Sequence, residues 1–137
     1  PDIMWFDFSY PPGKDGRSKM WVGKGKNEWQ SEKLLSMIRK IKPSIILNDR
    51  LDLDTGWDIK TPEQYQPQSW LTVGGNPVVW EACQTFSGSW GYHRDEATWK
   101  SIDQLVQMLV DSVSKGGNLL LNVGPTGRGE FDARVLE

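Results

Sequence analysis

Residues that hold metals or form disulfides are scarce in this sequence. Among its 137 residues there is one cysteine, Cys83, and one histidine, His93. A single cysteine cannot form an internal disulfide, and the two residues cannot supply a zinc cage or a triad that needs cysteine and a second histidine. The glycine-rich stretch 124–129 lacks the Gly-Lys-Ser/Thr ending of a phosphate loop. We therefore predict no metal site and no cofactor.

A large excess of one charge and a long apolar run are also missing. The sequence has 18 acidic and 16 basic residues, giving a formal net charge of -2. No stretch approaches the roughly 20 apolar residues that a membrane-spanning helix requires. Without a basic field, nothing favours binding to nucleic acid or to anionic lipid. These absences predict a soluble globular domain with neither a nucleic-acid partner nor a membrane partner.

Tryptophan, by contrast, is abundant, with eight residues. An indole ring offers a large apolar face and one polar N–H, which suits core packing, interfaces and the C–H faces of sugars alike. Composition alone does not distinguish these uses, so the position of each tryptophan has to decide.

Apolar segments of two kinds alternate along the chain. Short unbroken runs predict strands, because strands buried on both faces of a parallel sheet show no alternation. Apolar residues at helical spacing predict helices, and the clearer helix is preceded by a capping-box pattern formed by Ser101 and Gln104. The predicted strands are 3–8, 44–47, 78–83 and 119–123, the predicted helices are 29–41 and 101–113, and the main connections are 14–26, 51–77 and 85–99.

This order of elements predicts an α/β fold with parallel strands. Two architectures fit it: an open, doubly wound sheet and a segment of a (β/α)8 barrel. A complete barrel takes about 250 residues, so four strands would form about half of one.

Polar side chains gather where the predicted strands end. Asp7 lies near the end of the first strand, 48–50 follows the second, and Glu81 and Asn122 lie near the ends of the others. Active sites of parallel α/β proteins lie at the carboxyl ends of strands, so these side chains predict one polar rim. With metals and thiol triads excluded, the chemistry most available is a carboxylate pair that acts as nucleophile and general acid/base, as in glycosidases.

Asp7 is the strongest candidate for the nucleophile. An acid flanked by Trp5, Phe6 and Phe8 is costly to bury unless it has a partner or a task. Arg50 is a natural partner because its planar fork of donors fits a carboxylate. The alternatives are an acid that points out to solvent and, around Arg50, a turn that holds a solvated charge pair.

The second carboxylate has two candidates. Glu63 lies in the long connection, where a mobile acid could close over a leaving group or could simply be solvated. Glu81 follows Trp80 on a predicted strand and could equally be a buried hydrogen-bonding support. Trp90, flanked by Gly91 and polar residues, could form a pocket wall or fill the core.

Six ordered motifs span almost the whole chain. They are residues 1–7 (PDIMWFD), 48–50 (NDR), 61–63 (TPE), 80–83 (WEAC), 89–92 (SWGY) and 113–125 (VSKGGNLLLNVGP). In this combination the chain resembles the α-L-fucosidases of glycoside hydrolase family twenty-nine. The resemblance implies the C-terminal half of a barrel related to the (β/α)8 type, and hydrolysis of terminal α-linked L-fucose with retention of configuration.

The resemblance also implies roles for individual residues. Asp7 matches the nucleophile position, and Glu63 matches the acid/base position of members with the Thr-Pro-Glu pattern. In some members the glutamate of the Trp-Glu-x-Cys motif, here Glu81, is considered for the acid/base role instead. We favour Glu63 because the role needs a side chain that reaches the glycosidic oxygen from across the sugar. The predicted substrate-binding residues are Trp5, Arg50, Glu81 and Trp90.

The family's N-terminal half-barrel is absent from this sequence, so residues 1–137 are predicted to form a single half-barrel domain. Unpaired parallel edges and an uncovered apolar interior predict a homo-oligomer that covers the open half. The expected substrate is a fucosylated glycan or an aryl fucoside, and the resemblance suggests a secreted or periplasmic location. The alternative is a non-catalytic fragment that binds fucose or has a structural role.

Overall fold

The computed structural model describes residues 1–7 and 24–137. They divide into two compact units, Pro1–Thr61 and Pro62–Glu137. Phe8 of the first predicted strand and residues 14–23 of the predicted loop lie outside the described residues. None of the helices within the two described ranges is long and apolar enough to cross a membrane.

The first unit packs one helix against a short parallel strand pair. Strand β1 (Ile3–Met4) pairs in parallel with β2 (Ile46–Leu47), and helix α1 (Ser31–Ile41) lies between them in the chain. The core consists of buried Ile38, Ile45 and Leu47, with Met4, Phe6, Leu34 and Leu35 packed against them. The predicted order of strand, helix and strand is confirmed, although the paired segments are shorter than predicted.

Helix α1 begins two residues later than predicted and ends where predicted. Gln30 has a left-handed backbone with φ of 51°, so the helix does not extend further back. At the other end Lys42 is extended, and Pro43 disfavours a helical conformation in the residue before it. Leu34 and Ile38 lie one turn apart and both pack in the core, which explains why the apolar spacing predicted this helix.

A hairpin lies within the long connection predicted for residues 51–77. Strand β3 (Thr72–Val73) pairs in antiparallel fashion with β4 (Asn76–Pro77). Gly74 and Gly75 between them have φ values of 58° and 81°. Positive φ at both central residues is what a two-residue type I′ turn needs. The Gly-Gly pair is therefore the sequence signal that could have predicted this hairpin.

The centre of the second unit is a parallel strand pair joined by a helix. Strand β5 (Glu81–Thr85) pairs with β6 (Asn118–Asn122), and helix α2 (Ile102–Ser114) connects them. The helix and the last strand lie where the sequence predicts them, within one residue at each end. Strand β5 instead begins three residues later than predicted.

The start of β5 and the start of α2 have clear local causes. The N–H of Val78 donates to the carbonyl of Leu71 at 2.9 Å, so this part of the predicted strand pairs beside the hairpin. At α2 the predicted capping box is present: Ser101 N donates to Gln104 Oε1 at 2.8 Å, and Gln104 N donates to Ser101 Oγ at 3.2 Å. Reciprocal capping fixes the first turn of the helix.

Trp80 packs at the junction between α2 and β6. Its side chain is fully buried, and its indole N–H donates to the carbonyl of Lys115 at 3.2 Å. Its own carbonyl accepts from the N–H of Asn118 at 2.9 Å. Gly117 lies against the ring so closely that a Cβ there would be 2.3 Å from it. A glycine at this junction is therefore a packing requirement.

We expect Gly117→Ala to lower the free energy of unfolding by about 1–3 kcal/mol, because the added methyl group must displace a buried ring. Gly127→Ala is the matched control, since nothing lies within 4 Å of the Cβ that it would add. Urea unfolding followed by tryptophan fluorescence measures both variants. If the two variants unfold at the same urea concentration, the close packing against Trp80 is not present in solution.

One short helix was not predicted. Helix α3 (Ala133–Leu136) has Asp132 as its N-cap, whose carboxylate accepts from the N–H of Arg134 at 3.1 Å. Its four residues are too few for an apolar period to be recognised.

The described strands form three pairs, of which two are parallel and one is antiparallel. In each unit a parallel pair with an intervening helix confirms the α/β class. The half-barrel arrangement and the single domain stay predictions.

Candidate active site

Asp7 and Arg50 meet beside the parallel strand pair of the first unit. Because β1 and β2 run in the same direction, their carboxyl ends lie at one edge, where Asp7 follows β1 and Arg50 follows β2 within a few residues. Arg50 Nη1 lies 3.1 Å from Asp7 Oδ1. The Arg50 side chain is 16% exposed and that of Asp7 is 42% exposed, so the aspartate faces outward from a shielded arginine. The predicted ion pair is present.

Asn48 extends the strand pair beyond its regular residues. It is 1% exposed, its Oδ1 accepts from the N–H of Phe6 at 3.0 Å, and its Nδ2 donates to the Phe6 carbonyl at 2.9 Å. This side-chain amide thus copies the pairing of a backbone peptide. The result is that the backbone immediately before Asp7 is fixed.

A polar network holds Arg50 in place. Its Nε donates to Thr61 Oγ1 at 2.9 Å and its Nη2 donates to the Thr61 carbonyl at 3.3 Å. Thr61 is itself oriented by Asp49, whose Oδ1 accepts from Thr61 N at 3.0 Å and from Thr61 Oγ1 at 2.7 Å. The guanidinium stacks 4.4 Å above the ring of Trp5. Arg50 therefore links Asp7 and Trp5, two of the predicted site residues.

Glu63 is anchored to the sheet of the second unit. The carbonyl of Pro62 accepts from Cys83 N at 2.8 Å, and Gln64 N donates to the Cys83 carbonyl at 3.0 Å, so Glu63 forms a parallel bridge with Cys83. Gln64 has a left-handed backbone with φ of 57°, and its Nε2 donates to Thr85 Oγ1 at 3.1 Å. Glu63 was expected in the long connection either as a mobile acid or as a solvated one, and the structure adds that the edge of β5 binds the backbone on both sides of it.

Glu81 does not lie at the carboxyl end of its strand. It is the first residue of β5, opposite Asn118, whereas the carboxyl ends of the pair are Thr85 and Asn122. At about 3.3 Å per residue, four residues place Glu81 roughly 13 Å along the strand from that edge. The predicted rim position is therefore wrong, because the strand begins later than its apolar run suggests. Its role as a substrate contact stays a prediction.

Trp90 lies on a loop next to the carboxyl end of β6. Asn122 Nδ2 donates to the carbonyl of Trp90, and Ser89 Oγ donates to Glu96 Oε2 at 2.8 Å. Trp90 is 41% exposed, so the alternative of a core tryptophan is excluded. One pocket is lined by residues of this region, among them Ser89, Tyr92, His93, Glu96, Trp99 and Asn122.

Glu96 is the acid with the strongest hydrogen bonding in this region. Its Oε1 accepts from Thr98 N at 2.8 Å and from Thr98 Oγ1 at 2.6 Å. These bonds from Thr98, with the bond from Ser89, lower the pKa of the Glu96 carboxyl from 4.5 to about 2. Hydrogen bonds to the charged form favour that form, so the carboxylate is the state that ties the two ends of the loop together.

The stabilising contribution of Glu96 should disappear in acid. Because the folded pKa lies below the unfolded pKa, this contribution is present above about pH 4.5 and is lost as the pH falls toward about 2. We therefore expect the Tm of the wild type to fall more steeply over this range than that of Glu96→Gln, which has no carboxyl to titrate. Thermal unfolding followed by circular dichroism measures both, and equal slopes would contradict the low pKa.

Within residues 1–7 and 24–137, no group of three or more histidine, cysteine, aspartate or glutamate side chains is placed to hold a metal ion. Cys83 is buried in the middle of β5. His93 is exposed on the Trp90 loop. The polar side chains described near the carboxyl ends of the strands include the carboxylate of Asp7, the amides of Asn48 and Asn122, and the guanidinium of Arg50.

Comparison with known proteins decides the family. A sequence model of the family described as Alpha-L-fucosidase matches residues 1–137. This chain belongs to the α-L-fucosidase family. The resemblance based on the six motifs is thereby confirmed, as is the assignment to glycoside hydrolases.

The individual proteins that this chain matches are also named as fucosidases. It is 32% identical over 136 residues to the plasma alpha-L-fucosidases of Rattus norvegicus and Homo sapiens, covering 92% of this chain and 26% of either relative. Among solved structures, Alpha-L-fucosidase isoenzyme 1 from Paenibacillus thiaminolyticus matches with a TM-score of 0.82 and 36% identity, over 98% of this chain and 32% of that chain. The Thermotoga maritima alpha-fucosidase matches with a TM-score of 0.68 and 35% identity, over 98% of this chain and 27% of that one.

The chain spans about a quarter of the length of the curated α-L-fucosidases that it matches. Two residues with structural roles beside the predicted site residues, Thr61 and Glu96, were not predicted. Both belong to connections without apolar period, and their partners follow only from the fold. Asn48 and Asn122 were expected among the polar side chains at the strand ends, and the structure adds the hydrogen bonds that they make.

Proposed function

We propose that this chain carries the catalytic carboxylates of a retaining α-L-fucosidase that removes terminal α-linked L-fucose from fucosylated glycans. Asp7 is the nucleophile and Glu63 the general acid/base. The observation that carries the proposal is the Asp7–Arg50 ion pair, backed by the ring of Trp5 and held beside two parallel strands, in a chain that belongs to the α-L-fucosidase family.

The first step forms a covalent intermediate. An oxygen of Asp7 attacks the anomeric carbon of fucose while Glu63 gives its proton to the glycosidic oxygen, so that the bond to the leaving group breaks. Arg50 supports this step by fixing the aspartate through Oδ1. The backbone clamp from Asn48 supports it by fixing the peptide before the nucleophile.

The second step releases fucose. The carboxylate of Glu63 now takes a proton from water, whose oxygen attacks the anomeric carbon and frees Asp7. Two displacements on one carbon retain its configuration, which requires the two carboxyl groups to stand roughly 5 to 5.5 Å apart on the bound sugar. The backbone bridge between Glu63 and Cys83 of β5 fixes the main chain from which the Glu63 side chain extends. Because Cys83 follows Glu81 by two residues, Glu63 lies beside a point about 7 Å nearer the carboxyl end of β5 than Glu81 does.

Aromatic side chains fit this sugar. Fucose carries a methyl group at C6, and burying such a group is worth on the order of 0.8 kcal/mol. Trp5, stacked under Arg50, and the half-exposed Trp90 are the aromatic residues that we assign to the sugar. Aromatic packing alone gives modest discrimination, so hydrogen bonds to the hydroxyl groups must supply the rest.

The direct test is turnover of p-nitrophenyl α-L-fucoside by the purified chain. We expect release of p-nitrophenol that saturates with substrate. Because the chain covers about a quarter of its relatives, a second candidate is a non-catalytic fragment that binds fucose or has a structural role. Calorimetry separates the two: binding of L-fucose without turnover supports the second candidate and contradicts the first.

We also propose that the strands form part of a barrel whose open side is covered by further copies of the chain. Helix α2 supports this, since apolar residues spaced along it are exposed in the described part of the chain: Ile102, Val106, Leu109, Val110 and Val113. A stripe of this kind marks an interaction surface. We expect light scattering at micromolar concentration to give a mass well above the 15.6 kDa of one chain. A stable monomer would contradict the proposal.

A further inference from the structure

The loop that carries Trp90 is fixed at three points. Asn122, the last residue of β6, donates from Nδ2 to the carbonyl of Trp90 itself. A Cβ on Gly124 would lie 2.4 Å from the carbonyl carbon of Gly91, so the two backbones touch there. Ser89, the residue before the tryptophan, donates to Glu96 Oε2 at 2.8 Å.

Glu96 is built into its surroundings on both sides. Its carboxylate binds Thr98 through Oε1 and Ser89 through Oε2. Its carbonyl accepts from Trp99 Nε1 at 3.1 Å and from Arg134 Nη1 at 3.2 Å. Arg134 in turn stacks 4.4 Å over the ring of Trp99. The loop is thus held against a second, independently braced segment.

The loop needs such anchors because its own sequence does not order it. Residues 88–91 read Gly-Ser-Trp-Gly, and glycine on both sides of a short segment leaves the backbone with many conformations. An exposed indole contributes to sugar binding in full only if its ring is held in place before the sugar arrives. Ordering it at the moment of binding would reduce the affinity.

We propose that Glu96 and Asn122 are positioning residues that fix the indole of Trp90 for contact with the fucose ring. Asn122 holds the tryptophan's own carbonyl, and Glu96 holds the preceding serine. This inference rests on the proposed function, since it assigns Trp90 to the substrate. Neither residue touches the reacting atoms, so both act on substrate binding.

The kinetic test compares single and double variants on p-nitrophenyl α-L-fucoside. We expect Glu96→Ala, Asn122→Ala and Trp90→Ala each to raise KM about tenfold with kcat within about twofold, as loss of uniform binding does. The double variant Trp90→Ala/Glu96→Ala should be no worse than Trp90→Ala alone, because the two residues act through one ring. An unchanged KM in Glu96→Ala, or additive effects in the double variant, would overturn the inference.

Three further variants separate positioning from general stability. Glu96→Gln should restore the wild-type KM, because its amide oxygen can accept from Thr98 and its amide N–H can donate to Ser89 Oγ. Ser89→Ala removes only the link from the loop to Glu96 and should raise KM like Glu96→Ala, even if the latter folds poorly. Asp95→Ala is the matched control, since this neighbouring acid pairs with exposed Arg94; its KM should not change.

A spectroscopic readout tests the positioning when no turnover is available. The wild type labelled with 5-fluorotryptophan gives a 19F resonance for Trp90, assigned by its loss in Trp90→Phe. This resonance should move in Ser89→Ala and in Asn122→Ala and should keep its wild-type position in Glu96→Gln. Absence of turnover with these shifts contradicts the proposed function alone. A Trp90 resonance that keeps its wild-type position in both Ser89→Ala and Asn122→Ala contradicts the positioning role, whatever the activity.

Discussion

Asp7→Asn is expected to lower kcat/KM for p-nitrophenyl α-L-fucoside by at least about 10⁴-fold, as removal of a catalytic nucleophile does. An amide oxygen is a poor nucleophile toward the anomeric carbon, so the covalent intermediate cannot form. The amide can still accept the hydrogen bond from Arg50 Nη1 that the carboxylate accepts at 3.1 Å. The variant should therefore fold like the wild type and keep its affinity for L-fucose.

The chain provides a matched control for this variant. Asp2 is also an acid beside β1 that is paired with a base, Lys42, at 2.8 Å, and its side chain is 97% exposed. Asp2→Asn should keep activity within about twofold, in line with the small effect of exposed ion pairs. Equal losses in the two variants would show that the effect of Asp7→Asn is structural. More than a tenth of wild-type activity in Asp7→Asn would remove Asp7 from the mechanism.

Glu63→Ala is expected to lower turnover of a fucosylated disaccharide by about 10²–10⁴-fold, the usual contribution of a general acid/base. A sugar alkoxide is a poor leaving group and needs a proton from the general acid, whereas p-nitrophenolate is stable enough to leave without one. The first displacement on the aryl fucoside should therefore be much less affected. The difference between the two substrates, measured side by side, is the signature of the acid role.

Glu81→Ala distinguishes the two acid candidates. Glu81 starts β5, at the end of the strand opposite Thr85, so its removal should affect both substrates alike. Glu63→Ala should instead slow the disaccharide far more than the aryl fucoside, because it removes the proton donor that only the disaccharide needs. If the dependence on the leaving group appears in Glu81→Ala and not in Glu63→Ala, the assignment of the acid must be reversed.

Local signals predicted the two main helices and the Asp7–Arg50 ion pair. Helix α2 followed from a capping box and an apolar period that lie within one segment of sequence. The ion pair of Asp7 with Arg50 followed from an acid among aromatic residues and a guanidinium after the next strand. The signal for the helix is therefore local. For the ion pair, the parallel register of β1 and β2 places the two strand ends together.

Features that depend on pairing between distant segments, such as the start of β5 and the backbone bonds around Glu63, were not predicted from the sequence. The apolar run at residues 78–83 predicted a strand, but Val78 pairs with Leu71 beside the hairpin, and this shift moves Glu81 to the other end of β5. Glu63 lies in a connection whose residues show no apolar period, so the two backbone bonds that join its neighbours to Cys83 could not be foreseen. The choice between pairing edges depends on the whole sheet, so local propensity does not determine it.

The most direct test of the central claim is to trap the covalent intermediate on the wild-type chain with an activated 2-fluoro-α-L-fucoside and to map the labelled peptide by mass spectrometry. The fluorine slows both displacements, and a reactive leaving group keeps the first one fast enough for the intermediate to accumulate. We predict that one fucosyl group is attached to Asp7 and that the label is absent from Asp7→Asn. A label on Glu63, on Glu81 or on any other residue would contradict the account.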